Sequence, residues 1–163
     1  MQTEYGASEP EQHLFSESDI LQYKDASSGQ RFLNFLIDNL FMTYGLGYLT
    51  GNLVGYFLAN FFPEFADSLF SNPESMDVLI FGVMLAYFNY IVYYTFCEKL
   101  FRGYTLGKLI TGTRAIRNNG KELSFKDTFL RSLSRIVPFE AFSGIGGYPW
   151  HDQWTKTMVI KSR

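Results

Sequence analysis

Two long apolar runs dominate the chain. The first, Phe32 to Phe62, carries one charge, Asp38. As a helix it would extend roughly 46 Å, against a hydrocarbon core of about 30 Å. That is too long for a core helix of so small a protein and too short for two spans and a turn. The second run, Met76 to Phe96, has one charge at its edge, Asp77, and is one span long. The two runs predict an α-helical membrane protein with spanning helices over about 32–62 and 76–97. A third helix is predicted over about 125–146, opened by a capping box at Ser124 to Asp127. Arg131, Arg135 and Glu140 are costly at mid-span and Pro138 should kink the helix. The expected form therefore dips into the bundle and returns, breaking at Pro138 or at Gly144 to Gly147. A true third span is the alternative. Between the second and third helices, Leu109 to Arg117 reads as a strand, Asn119-Gly120 as a hairpin turn and Lys121 to Phe125 as the returning strand. Thr157 to Ile160 is a candidate third strand, which gives a small cytoplasmic sheet.

Charge adds an orientation. The chain of 163 residues has no Lys or Arg between Arg31 and Lys99. Residues 63–75 carry Glu64, Asp67 and Glu74, whereas the stretch after the second run carries Lys99, Arg102, Lys108, Arg114, Arg117, Lys121 and Lys126. The positive-inside rule places that basic stretch and both termini in the cytoplasm and residues 63–75 outside. Residues 1–29 read as an acidic, disordered tail with neither the basic nor the apolar region of a secretory signal, and residues 30–163 as the membrane domain. A single cysteine, Cys97, and two histidines, His13 and His151, offer no disulfide framework and little for a metal centre. Nucleic-acid binding lacks a basic stripe, and enzymatic chemistry lacks a nucleophile–base pair. No cofactor is expected.

Within the runs, Arg31, Asn34 and Asp38 share one helix face. An intramembrane carboxylate is costly and is a functional candidate by default. Two readings stay open: a functional acid, or a structural ion pair with Arg31, Arg131 or Arg135 as partner. Gly47, Gly51, Gly55 and Ala59 recur at every fourth position. That spacing serves close helix approach, for which packing within the chain is the favoured reading and a homo-oligomer the other. Asn89 and Tyr93 form a polar i, i+4 pair. Gly103-Tyr-Thr-Leu-Gly-Lys108 invites comparison with a phosphate loop, but it is one residue short between the glycines and has Leu109 where Ser or Thr should follow. It reads as a tight turn instead.

The segment from Arg31 to Asp38, GYTLGKLITGTRAI at 103–116, the Asn-Gly turn, LSFKDTFLRSLSR and the closing His151-Asp152-Gln-Trp-Thr-Lys resemble, in order, the RDD family of bacterial membrane proteins. The resemblance covers about residues 28–161 and makes Arg31, Asp38 and Asp152 the name-giving residues, with Gln153 where a basic residue is expected. It implies a small multi-pass protein of the bacterial inner membrane, of unestablished activity, with transport and in some members sodium/proton antiport as the suggested class. In that reading Asp38 and Asp152 handle a cation or proton, tuned by Arg31, Arg131 or Arg135, with Asn34, Asn89, Glu140 and His151 in support. The alternative is a scaffold or accessory subunit whose basic loop docks a cytoplasmic partner or anionic lipid.

Overall fold

The computed structural model describes residues 23–138, 140–143 and 149–162 and is mostly helical. The first helix, α1 (Ser28–Leu40), begins at a capping box in which Ser27 and Gln30 satisfy each other's backbone N–H groups. The backbone passes in right-handed helical geometry through a π-helical segment, Phe41–Gly47, into α2 (Tyr48–Phe61). This single run is about 51 Å long and contains nearly all of the first apolar stretch. Phe62 breaks it, and Pro63 starts α3 (Pro63–Phe70), where its missing N–H costs nothing. Next comes α4 (Met76–Leu100), capped by Ser75. It is long and apolar enough to cross a membrane, and only 11% of its most apolar window is buried within the chain.

The remaining elements gather at the basic end. They are α5 (Leu106–Thr111), β1 (Thr113–Arg117), α6 (Phe125–Ser134), α7 (Glu140–Ser143), α8 (Trp150–Thr155) and β2 (Thr157–Lys161). α5 packs on α1, and α6 packs on both α4 and α8. Two small apolar clusters hold this end: Ala26, Ala115, Leu123 and Val159 around the sheet, and Met42, Tyr93 and Tyr94 where the π segment meets α4.

Several sequence expectations change here. The Asn119-Gly120 turn forms, with Gly120 at φ +76°, but no hairpin follows it. β1 pairs antiparallel with the C-terminal β2, from Thr113 opposite Lys161 to Arg117 opposite Thr157. Residues 121–124 cannot return as a strand because the Ser124–Asp127 capping box starts α6 at once, and Lys99 Nζ donates to the Leu123 carbonyl at 3.2 Å. Leu109 to Thr111 is helix rather than strand, because Thr105 caps α5 and left-handed Gly112 ends it. α6 rises about 15 Å, half a hydrocarbon core, and stops before Pro138. It is a short capped helix, and a third span over 125–146 does not form within the described residues. Of the tail expected to run to residue 29, the segment 24–26 lies along β2, with Ala26 N–H on the Val159 carbonyl at 2.9 Å, and Ser28 and Gly29 are already helical. The rest of that tail, residues 1–22, and Gly144 to Gly147 lie outside the described residues.

Candidate functional site

α1 turns Arg31, Asn34 and Asp38 toward the basic end, as their spacing predicts, and Asn34 and Asp38 are buried. Among the described residues, no arginine pairs with Asp38. Its Oδ1 accepts from the Tyr93 hydroxyl and the Gly107 N–H, and its Oδ2 from the Thr105 hydroxyl, each at 2.7 Å. The 103–108 segment supplies two of these donors. Gly107 carries no side chain because a Cβ there would lie 2.9 Å from the Asn34 Cα, so α5 can press directly on α1 and deliver its N–H. Gly103 has φ +96°, and a Cβ there would collide with the Ala115 backbone. The glycine-rich segment is thus a carboxylate-binding corner of the fold, a role its spacing alone did not reveal. Asn34 lies against the hydroxyls of Thr111 and Thr113, 2.9 Å from the latter.

Arg31 sits two turns before Asp38, about 10.5 Å along the axis, and reaches a different acid. Its Nη1 donates to Asp152 Oδ2 at 2.5 Å, and its Nε to the Ala26 carbonyl at 3.3 Å. The counter-ion role expected for it toward Asp38 is therefore corrected: Arg31 ties α1 to α8. Arg131 bridges two acids, with Nη1 on Asp152 at 2.5 Å and Nε on Glu98 at 2.9 Å. Arg135 Nη2 also lies 2.9 Å from Glu98, and its guanidinium stands 4.2 Å from the centre of the Tyr94 ring. Lys108 Nζ completes the set, 2.6 Å from Glu98. An alternating chain of charges, Lys108–Glu98–Arg131–Asp152–Arg31, therefore joins α5, α4, α6, α8 and α1.

Glu98, fully buried and shared by three cations, is the centre that sequence reading missed. It sits beside Lys99 at the end of an apolar run and looks there like an ordinary helix-end charge. Glu140 and His151 also meet, through Oε1 and Nδ1, and His151 Nε2 is 3.5 Å from Asp152 Oδ1. Burial and the neighbouring Arg135 push the His151 imidazole down to about 4, outweighing its two carboxylates. Burial alone would raise Asp152, but Arg131, His151 and Arg31 hold it well below the usual carboxylate range. Burial brings Lys108 down to about 8 despite Glu98.

A cavity of about 340 Å³ lies against this network. Its charged walls are Arg31, Asp38, Lys108, Arg135 and Glu140, with His151 beside them, and Phe32, Phe35, Tyr90 and Tyr94 form an apolar side. The other sequence candidates lie elsewhere. Asn89 donates to the Thr50 hydroxyl at 2.7 Å and links α4 to α2. A Cβ added at Gly51 or Gly55 would meet no heavy atom within 4 Å, so these glycines do not pack inside the chain. With Gly47, Tyr48 and Tyr56 they line an open groove.

The RDD family model matches residues 26–155, and the chain belongs to the RDD family, whose members are membrane proteins. The match takes in Arg31, Asp38, Glu98, Arg131 and Asp152. No curated protein and no solved structure matches the chain.

Proposed function

We propose that this membrane protein transports an ion or small ligand, with the cavity beside Asp38 as its binding station. The observation that supports this reading is the gathering of Asp38, Glu140, His151 and three cations around about 340 Å³ of open space at one end of an apolar helix pair. Acids and bases shielded from bulk water, with one wall open to a ligand, are the materials of proton or cation coupling. In this reading α1–α2 and α4 are the spans, the basic end and both termini face the cytoplasm, and residues 63–75 face outward. Two spans make a thin wall, so the transporting unit is an oligomer of the bacterial inner membrane. No enzymatic step is assigned.

A scaffold reading has an observation of its own. Both oxygens of Asp38 are occupied by neutral donors, and the charge chain fastens five elements together. Asp38→Asn separates the two. The Asn oxygen can keep Tyr93 and Gly107 as donors, while the Thr105 hydroxyl turns to accept from the new amide. The fold should therefore survive and only the charge be lost. In liposomes under an imposed proton or sodium gradient, transport predicts flux for the wild type and at least a tenfold loss for Asp38→Asn at unchanged abundance. A wild type without flux under either gradient would refute the transport reading.

A further inference from the structure

The cavity has a mouth and a floor of opposite character. Its exposed lining residues are Ser28, Phe32 and Phe35, one stripe along α1, so the opening is largely apolar and lateral. In a membrane protein such a stripe faces acyl chains. It lies at the start of the apolar run, beside Arg31, which is the depth of lipid headgroups. At the floor is Arg135, whose side chain is 7% exposed. Its Nη1 is buried and makes no hydrogen bond, although Nη2 is held by Glu98.

A buried guanidinium N–H without an acceptor is an unmet demand for an oxygen. The acids on the cavity wall do not meet it. Asp38 is taken by Tyr93, Thr105 and Gly107, and Glu140 Oε1 by His151. Glu98 is shared among Lys108, Arg131 and Arg135 and reaches Arg135 only through Nη2, so Nη1 is left without an acceptor.

We infer that this cavity binds a phosphate oxyanion carried on an apolar chain, the headgroup of an anionic membrane lipid, which enters between Phe32 and Phe35 and pairs with the Arg135 guanidinium. Its acyl chains lie along the exposed face of α1. This site is separate from the exposed basic loop, where charge alone would attract lipid. Basic pockets between membrane helices are a known setting for anionic headgroups. The inference shares the cavity with the transport reading but does not require flux. Lipid binding without flux would refute transport alone, and flux with no selective lipid binding would refute this inference alone.

The chain carries its own probe. Its two tryptophans, Trp150 and Trp154, stand on α8, next to the lining residues Pro149 and His151. The full-length protein in detergent is titrated with phosphatidylglycerol bearing brominated acyl chains, and quenching of tryptophan fluorescence is followed. Phosphatidylcholine with the same chains is the control. The expected result is saturable quenching with at least tenfold preference for phosphatidylglycerol, and loss of that preference in Arg135→Gln. Phe32→Asp places a like charge at an exposed position of the mouth without touching the ion pairs, and should weaken phosphatidylglycerol about tenfold. It decides the matter if Arg135→Gln does not fold. Equal quenching by both lipids, or preference unchanged in a folded variant of either kind, would overturn the proposal. Inorganic phosphate at millimolar concentration should not displace the lipid. Displacement that depends on Arg135 would identify a diffusible oxyanion as the ligand and overturn the lipid assignment.

Discussion

α1 buries Asn34 and Asp38, while α2, on the same helical run, buries none of its residues. The two halves solve opposite problems. α2 is apolar on most sides and is tied to α4 through the Asn89–Thr50 hydrogen bond; such a surface is one that hydrocarbon can solvate, so its small residues can face outward. α1 brings a carboxylate and an amide into the same low-dielectric region, and each polar group there must be met by a donor or an acceptor. Three elements from residues 93–113 are drawn to it: Thr105 and Gly107 from the start of α5, Tyr93 from α4, and Thr113 from β1. Apolar surface in a bilayer leaves tertiary structure free, and buried polarity dictates it.

This contrast is tested most severely at the centre of the polar end. Glu98→Gln leaves Lys108, Arg131 and Arg135 around a neutral group. Stranding buried charge in this way should cost about 3–5 kcal/mol. Thermal unfolding in detergent and the abundance of inserted protein should both fall steeply, and an unchanged melting profile would show that the cluster does not hold the fold.

A smaller effect resolves the wiring. In a double-mutant cycle, Arg31→Gln and Asp152→Asn should couple by about 1–3 kcal/mol, because their charges touch. Arg31→Gln and Asp38→Asn should be additive within about 0.5 kcal/mol, being two helical turns apart with different partners. Coupling in the second cycle and none in the first would restore the pairing that the sequence alone suggests. The smallest effect belongs to α2. Gly51→Leu meets open space, so stability of the isolated chain should change by less than about 0.5 kcal/mol. A larger loss, read by the same melting experiment, would mean that a second copy occupies the groove.

The long helices and the start of α6 can be read from the sequence because each rests on a local signal, whereas α3, α5 and α8 are not expected from it and α6 ends well short of residue 146. Ser124 and Asp127 form their capping box, Asn119-Gly120 makes its turn, and the apolar runs become α1–α2 and α4. The shared face of Arg31, Asn34 and Asp38 follows from helix periodicity. Partnership cannot be read in this way. Nothing local marks Glu98 as the acid for three cations, or β2 as the mate of β1 in place of the nearby segment after the turn.

The family, the membrane setting and the identity of most of the polar residues that matter were already present in one dimension, because hydrophobic length, charge exclusion and motif order are properties of the chain as written. Which acid meets which base was settled in three dimensions. Arg31 passes over Asp38 to reach Asp152, and Asp38 is satisfied by hydroxyls and a glycine N–H. The reason is distance: a charge interaction depends on a separation of a few ångströms in space, and α8 is remote from α1 along the chain until folding brings it alongside.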